Sequence, residues 1–453
     1  MLSPRRADIL PGVFLDGVGV QSHPNDSLAP RNRRRVLLAW CLYDWANSAY
    51  PTVVITFIFA AYFTKAVATD EVAGTAEWAF AMSFGAGAVA LLSPVLGAIA
   101  DRGGRRKPWL AAFTALCVLA SALLWFTQPD PAWSLWGLAF AVIGNIAFET
   151  GQVFYNAMMP DLVPASHLGR LSGWGWSLGY AGGLCCLAVA LVGFVQAETP
   201  WFGLDRAASE HIRAVTVLVA VWFAGFSLPL FLFVPDAPRR QATMVTAIGE
   251  GLATLIKSLR NLHPRGQVAR FLLAHMLYAD GMNTLFAFGG IYAAGTFGMD
   301  FTEIVLFGIA INVTAGLGAL AFAWIDDWIG PKRTVLIALA LLVLFGGLLL
   351  VVEGKTLFWL FALPLGLFVG PAQSASRTLM ARMTPPGTTN EMFGLYSLSG
   401  KATAFLGPLA LGWATLAFDS QRAGMSTIVI LFVLGGLLLA LTVRDPLKDR
   451  DVA

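Results

Sequence analysis

Charge is scarce in this sequence. Only 13% of its 453 residues are Asp, Glu, Lys or Arg, while 57% are hydrophobic; a soluble globular chain carries roughly 25% charged residues. Length alone would suggest about three soluble domains. The apolar runs overrule that, because about 20 mostly apolar residues cross a bilayer as a helix. Cysteine and histidine are scarce as well, at four and five. Cys41, Cys117, Cys185 and Cys186 all lie in apolar segments without metal-type or redox spacing, so they read as small inert hydrophobes. The scattered histidines form no cluster with cysteine that would hold zinc, and no cofactor is expected. A Gly-x-x-x-x-Gly-Lys-Ser/Thr loop is missing, which argues against ATP as the direct energy source. No spacing supports a Ser-His-Asp arrangement, so an enzyme is not expected. No Lys/Arg stripe with interleaved aromatics points to nucleic acid. Residues 1–35 contain Pro4, Pro11, Pro24 and Pro30 and end in Arg31-Asn32-Arg33-Arg34-Arg35. They lack the apolar core of a signal peptide and read as a disordered cytosolic tail.

What the chain does have is long apolar runs. They predict six membrane helices near 36–63, 77–100, 109–127, 133–157, 171–196 and 213–234. Six more follow near 268–296, 303–325, 334–352, 357–382, 392–417 and 425–443. The expected architecture is an all-α membrane protein, with one bundle over 36–234 and a second over 268–443. A cytoplasmic linker at 235–267 separates them, and a short cytosolic tail at 444–453 ends the chain. Within the linker Met244, Ile248, Leu252, Leu255 and Leu259 recur at helical spacing, which suits an amphipathic helix at the membrane interface. With the N-terminus inside, the cytoplasmic segments and helix ends carry 24 of the 30 Lys and Arg residues. The opposite side carries Lys65, Arg206, Arg213, Lys355 and Arg422, and Lys401 falls within a helix. That asymmetry predicts cytosolic termini.

Two motifs occur twice. Leu42-Tyr43-Asp44-Trp45-Ala46-Asn47 returns, slightly stretched, as Leu277-Tyr278-Ala279-Asp280-Gly281-Met282-Asn283. In each copy the asparagine follows the aspartate by three residues, on one helical face. A carboxylate inside a membrane helix is costly, at least about 2.5 kcal/mol near the centre, and is a functional hypothesis by default. A structural lock between helices is the alternative reading. The second repeat is a loop, Gly97-Ala98-Ile99-Ala100-Asp101-Arg102-Gly103-Gly104-Arg105-Arg106-Lys107, echoed by Asp327, Gly330, Lys332 and Arg333 in the places of Asp101, Gly104, Arg106 and Lys107. Glycine permits the tight reversal, and the aspartate suits either a cap on a neighbouring helix or an arginine partner.

Further polar residues lie in apolar surroundings. Asn145, Glu149, Gln152 and Asn156 line one stripe of the fourth span, and Gln373, Ser376 and Arg377 sit at corresponding depth in the tenth, with Gln373 matching Gln152. Such stripes face a cavity or bond a neighbouring helix. Lys401 is deep enough in the eleventh span to need a partner, water, or a snorkelling path. Gly175, Gly179 and Gly183 recur every fourth residue and predict a close backbone approach. Trp174, Trp176 and Tyr180 nearby line a pathway or face lipid.

The repeated loop resembles the signature between helices 2 and 3 of the major facilitator superfamily. Tyr43-Asp44-Trp45-Ala46-Asn47-Ser48-Ala49 resembles the first-helix signature of the autophagy-related vacuole effluxer branch and its bacterial relatives. Gln373-Ser374-Ala375-Ser376-Arg377, Phe393-Gly394-Leu395-Tyr396-Ser397, Gly400-Lys401 and Gly407-Pro408 are similar to the same branch. The resemblance implies the major facilitator fold, twelve helices in two pseudo-symmetric six-helix bundles, and export of amino acids from the vacuole in fungi. For this chain the expectation is a monomeric secondary transporter in a bacterial plasma membrane, moving a small polar organic solute, amino acids above others. Protons are the default coupling ion and membrane lipids the surroundings. Asp44, Asn47, Asn145, Glu149, Gln152, Asp280, Asn283, Gln373, Arg377 and Lys401 are the candidate solute or proton residues. Gly97, Asp101, Arg102, Gly104, Arg105, Arg106, Asp327, Gly330 and Lys332 are the candidate conformational loops. An exporter of lipid or hydrophobic compounds, its pocket lined by Trp174, Trp176 and Phe154, is the runner-up. A non-transporting membrane scaffold or receptor is the rival from another class.

Overall fold

The computed structural model describes residues 30–238 and 266–444, and all regular elements among them are helices. The linker expected to hold an amphipathic helix lies almost wholly outside the described residues. In the first half, α1 opens as Pro30–Asn47 and continues through wide turns at Tyr50–Phe57 and Phe63–Val67. It is followed by α2 (Glu71–Gly103), α3 (Lys107–Leu123), α4 (Ser134–Leu162), α5 (Leu168–Ala190) and α6 (Glu210–Phe233). The second half holds α7 (Gly266–Phe297), α8 (Phe301–Ile329), α9 (Pro331–Val351), α10 (Lys355–Met383), α11a (Thr389–Lys401), α11b (Leu406–Phe418) and α12 (Gln421–Thr442). Twelve spans result among the described residues. Ten of them are long and apolar enough to cross a membrane by composition alone. The others are α7, diluted by His275, Asp280 and Asn283, and α11, cut into two pieces of 13 residues.

The packing repeats with an offset of six helices. Helix α1 packs on α5 and α6, and α4 on α2 and α3; correspondingly α7 packs on α11a and α12, and α10 on α8 and α9. The halves meet through α2 with α11a and through α5 with α8, which are the same contact seen from either side of a pseudo-two-fold axis. We call the end bearing the Arg102–Lys107 loop the basic end. There α2 and α11a approach so closely that a Cβ on Gly97 would strike the Asn390 carbonyl and one on Gly394 the Ser93 carbonyl. Toward the far end α11b packs on α7 and α12 of its own half. Trp413 and Leu416 of α11b are 68% and 84% exposed.

Several boundaries differ from those expected, and two of the differences have a clear physical cause. Helix α1 begins at Pro30, six residues early, so Arg31–Arg35 form its first turns rather than the end of a tail. Proline suits the first helical turn, where its missing N–H costs nothing, and Arg35 lies over the Phe233 ring at 5.2 Å. The eleventh span, expected as one helix, breaks between Lys401 and Leu406. Pro408 has no N–H to give and its ring crowds the carbonyl four residues earlier, at Ala404.

Candidate functional site

The site rises from the basic end toward the middle of the bundle. Asp101 reaches across to the other half: its Oδ1 accepts from Asn390 N at 3.1 Å and Asn390 Nδ2 at 2.8 Å, and its Oδ2 from Glu391 N at 2.8 Å. These donors are in the first turn of α11a, where N–H groups lack intrahelical partners and a negative charge meets the positive end of the helix. Asp327 mirrors it. Its Oδ1 accepts from Gly169 N at 2.8 Å, and its Oδ2 from Arg170 N at 3.3 Å and Arg170 Nε at 2.7 Å, capping α5. Gly104 (φ 80°) and Gly330 (φ 91°) take the left-handed turn that stops α2 and α8. Behind the turns, Lys107 Nζ donates to Phe231 O (3.0 Å) at the end of α6, while Lys332 Nζ donates to Ala440 O (3.1 Å) and Val443 O (2.6 Å) at the end of α12. Lys332 thus does the work of Lys107, one register away, from the place of Arg106; α9 starts on Pro331 directly after Gly330, whereas α3 starts three residues after Gly104. Arg106 itself pairs with Asp161 at the end of α4. Arg105 is exposed at the turn and Arg102 half-buried.

Asp101 caps the other half at this closed basic end, so Asp101→Asn, which keeps an acceptor and removes the charge, should weaken the closed state by about 0.3–1 kcal/mol, the usual worth of a negative side chain at a helix N-terminus. We expect slower conformational exchange or poorer assembly with unchanged substrate preference. A transport competition assay on normally expressed Asp101→Asn checks this, and altered selectivity would count against it.

One level up, about 9 Å from the end of α10 at 1.5 Å per residue, Arg377 is plugged into the first half. Its Nη1 donates to Asp44 Oδ2 (3.2 Å) on α1 and Asn156 Oδ1 (3.1 Å) on α4. Its Nε donates to Ser172 Oγ (2.9 Å) and its Nη2 to the Ser172 carbonyl (2.6 Å) on α5. The guanidinium also lies over Trp40, Trp176 and Tyr155 at 5.2, 5.7 and 5.9 Å, within cation–π reach. Arg377 and Asp44 are 3% and 5% exposed, so neither charge relies on water. The glycine stripe of α5 makes this possible: a Cβ on Gly175 would fall 2.6 Å from Asp44 Oδ2 and 2.9 Å from Arg377 Nη2. The close approach that stripe predicted is therefore to α1, with Gly179 and Gly183 against Ser48 and Thr52.

A further ion pair crosses the halves roughly 18 Å from the start of α11a. Lys401 Nζ stands 2.7 Å from Glu149 Oε1, with side chains 27% and 21% exposed. Lys401 is thus partnered rather than snorkelling. Around this level Asn145 is half-buried, and Gln152 is half-buried with its Oε1 lacking a hydrogen-bond partner among the described residues. Gln373, the position matching Gln152 in the second half, accepts at Oε1 from Tyr180 Oη at 2.6 Å.

The two aspartate repeats also part company. Asp44 is ion-paired across the interface, whereas Asp280 stays in its own half and accepts from Gly407 N at 2.9 Å. Asn47 is buried, touched by Ser48 Oγ at 3.4 Å, and its Nδ2 lacks a partner among the described residues. Asn283 is exposed, with Nδ2 3.4 Å from Gly400 O. Ser172, Tyr155 and Trp40 were not singled out from sequence; a serine, a tyrosine and a tryptophan in apolar helices carry no charge signal. The aromatics of the hydrophobic-exporter reading are engaged in packing: Phe154 stacks between Trp109 and Phe113, Trp174 meets Trp324, and Trp176 covers Arg377.

The family profile described as vacuole effluxer Atg22 like matches residues 164–449, and that of the Major Facilitator Superfamily matches residues 19–186. The chain belongs to the Atg22-like vacuole effluxer family. Within the major facilitator superfamily it is similar to the uncharacterized MFS-type transporter YxiO of Bacillus subtilis (strain 168). The two are 26% identical over 418 residues, covering 91% of this chain and 95% of that one. It is 24% identical to autophagy-related protein 22 of Cryptococcus neoformans over 289 residues. That match takes in 58% of this chain but about half, 48%, of the fungal protein. In three dimensions it is similar to the human organic anion transporter MFSD10 (TETRAN), with a TM-score of 0.71 at 17% identity, covering 91% of this chain and all of the other. The Atg22-like chain is thus a multi-pass membrane protein with the fold of the major facilitator transporters, which are not enzymes.

Proposed function

We propose that this Atg22-like protein is a secondary active transporter for small zwitterionic solutes, amino acids first among them, and that its two halves rock about the interface described above. The observation that carries the reading is the half-exposed Glu149–Lys401 pair, one charge from each half, set above the buried Asp44–Arg377 pair. A solute with a carboxylate and an ammonium group presents the same two charges at a similar separation. Its carboxylate is a competing partner for Lys401 and its amine for Glu149, through charge-assisted hydrogen bonds. An apolar cargo offers neither. The family's effluxer description supports outward movement. With the basic end at the cytosol, as the positive-inside rule has it, the described conformation is closed toward the cytosol.

The test is purified protein in liposomes offered a panel of labelled amino acids, with and without a pH gradient. Saturable uptake of at least one zwitterion is expected, and labelled lipid or apolar compounds moving instead would favour the runner-up. Topology is checked separately. Reporter fusions at Ala453 and within 198–210 should give opposite sidedness, and the same side for both would reject the twelve-span arrangement.

A further inference from the structure

The break in α11 exposes a second helix N-terminus inside the second bundle, and Asp280 is docked on it. Its Oδ2 accepts from Gly407 N at 2.9 Å, in the first turn of α11b. A side chain at 407 would not fit: a Cβ there would strike Thr284 Oγ1 and come within 2.9 Å of Asp280 Oδ1. Asp280 is 2% exposed, and its Oδ1 has no hydrogen-bond partner among the described residues. This arrangement is unlike that of Asp44, whose charge is answered by a guanidinium.

The charged groups on the surrounding helices are engaged elsewhere. On α11a, Lys401 is held by Glu149; on α10, Arg377 is held by Asp44. Helix α11b carries no ionisable side chain, and Arg422 of α12 binds the Leu350 and Val352 carbonyls. On α8 the acids lie at the two ends, Glu303 with Lys355 at one and the buried Asp326 beside Asp327 at the other, where Asp327 meets Arg170 and Arg382 of α10. On α7 itself, His275 Nδ1 is 2.7 Å from Ser399 Oγ and Tyr278 Oη is 2.7 Å from Ser376 Oγ. A buried carboxylate opposed only by one backbone N–H and the positive end of a helix has two competing terms. The helix end favours the anion, and the missing cation and water favour the neutral acid.

We propose that Asp280 is a proton-binding site that latches α11b: as the anion it holds the half-helix against α7, and on taking a proton it releases it. The proton arrives from the exposed side of α7 at Asn283, one turn further along and near the midpoint of the helix. It adds to Oδ1 and leaves from the same atom, so an O–H bond is the only bond made or broken. The neutral acid is a weaker acceptor for Gly407 N–H and no longer complements the helix end. The short Ala402–Phe405 connection then acts as the hinge. The inference rests on the alternating-access reading above but not on the identity of the solute.

The test uses the full chain in lipid nanodiscs, with Cys185, the exposed native thiol, replaced by Ser. Spin labels go on Phe80→Cys, 77% exposed on the far half of α2, and Leu416→Cys, 84% exposed near the far end of α11b. Between about pH 5 and pH 9 the interlabel distance distribution should shift in the otherwise native protein. In Asp280→Asn it should stay at its low-pH form throughout. A pH-dependent shift that survives Asp280→Asn overturns the proposal. If that variant fails to reach the membrane, Asp280→Glu replaces it: the titration midpoint should move, and an unmoved midpoint overturns the proposal equally. Distances that respond to added amino acid but not to pH overturn the latch and leave the transport reading standing. A pH shift abolished by Asp280→Asn, in a protein that moves no zwitterion, supports the latch and overturns the solute reading.

Discussion

Arg377→Gln should abolish transport and destabilise the protein by about 3–5 kcal/mol, the cost of leaving a buried charge without its partner. The partner left behind is Asp44, 5% exposed, with Arg377 its sole ion-pair contact among the described residues. Asp44→Asn should destabilise too, by abandoning the guanidinium, although Asn156, Ser172 and the three aromatic rings still hold it. The double variant Asp44→Asn/Arg377→Gln should be more stable than the sum of the single losses implies. A coupling energy in the upper part of the range of about 0.5–3 kcal/mol is expected from thermal unfolding in detergent. Transport should stay absent in the double variant, because Arg377 is inserted among α1, α4 and α5 of the opposite half and ties the halves at the basic end. Additive losses, or full transport by Arg377→Gln, would rule out the pair as a lock between halves.

The second large effect concerns Glu149 and Lys401. Glu149→Gln and Lys401→Gln should each cut transport at least about tenfold, corresponding to about 1.4 kcal/mol or more of lost interaction with the solute or coupling ion. Because the pair is partly exposed, its loss should cost much less stability than loss of Arg377; exposed pairs are worth about 0–1 kcal/mol. Glu149→Lys/Lys401→Glu separates the two roles of this pair. A simple strut works with its charges reversed, so transport would return with stability. A pair that recognises a zwitterion would recover stability and not transport, since the remaining polar groups around it, Asn145 and Gln152 among them, keep their places. Counterflow exchange, which needs no net proton movement, refines the result. A substrate-binding role predicts loss of exchange and of gradient-driven accumulation together, whereas retained exchange with lost accumulation would move Glu149 to the proton side.

The lipid-like environment made much of this protein legible as sequence. A chain with so few charges, grouped into apolar runs, must hide its backbone polar groups in helices if it enters a bilayer. Hence the twelve spans were readable, and their pairing into equivalent halves followed from Asp101 and Asp327 at matching places. The cost of a charge in an apolar helix likewise marked Asp44, Glu149, Asp280, Arg377 and Lys401 without coordinates.

Partners were another matter. Sequence matched Gln152 and Gln373 by depth as corresponding positions of the two halves, but helical period gives a face and a height, not the rotation of one helix against another or the partner each side chain finds. Tyr180 took Gln373 because α5 and α10 pack together at that level. Asp44 and Asp280, indistinguishable as repeats, separated once α11 broke at Pro408 and offered Gly407 N–H to one, while α10 carried Arg377 across the interface to the other. Ser172 gave no signal at all, since a hydroxyl in an apolar helix is cheap to bury on its own backbone; only the packing of α10 against α5 turned it into a ligand for a guanidinium. Hydrophobicity and charge are one-dimensional properties and determined the spans, their repeat and the list of costly residues. The pairing of those charges depends on helix rotation and on a local break, both set by side-chain packing between segments more than 100 residues apart, and so it belongs to the tertiary structure.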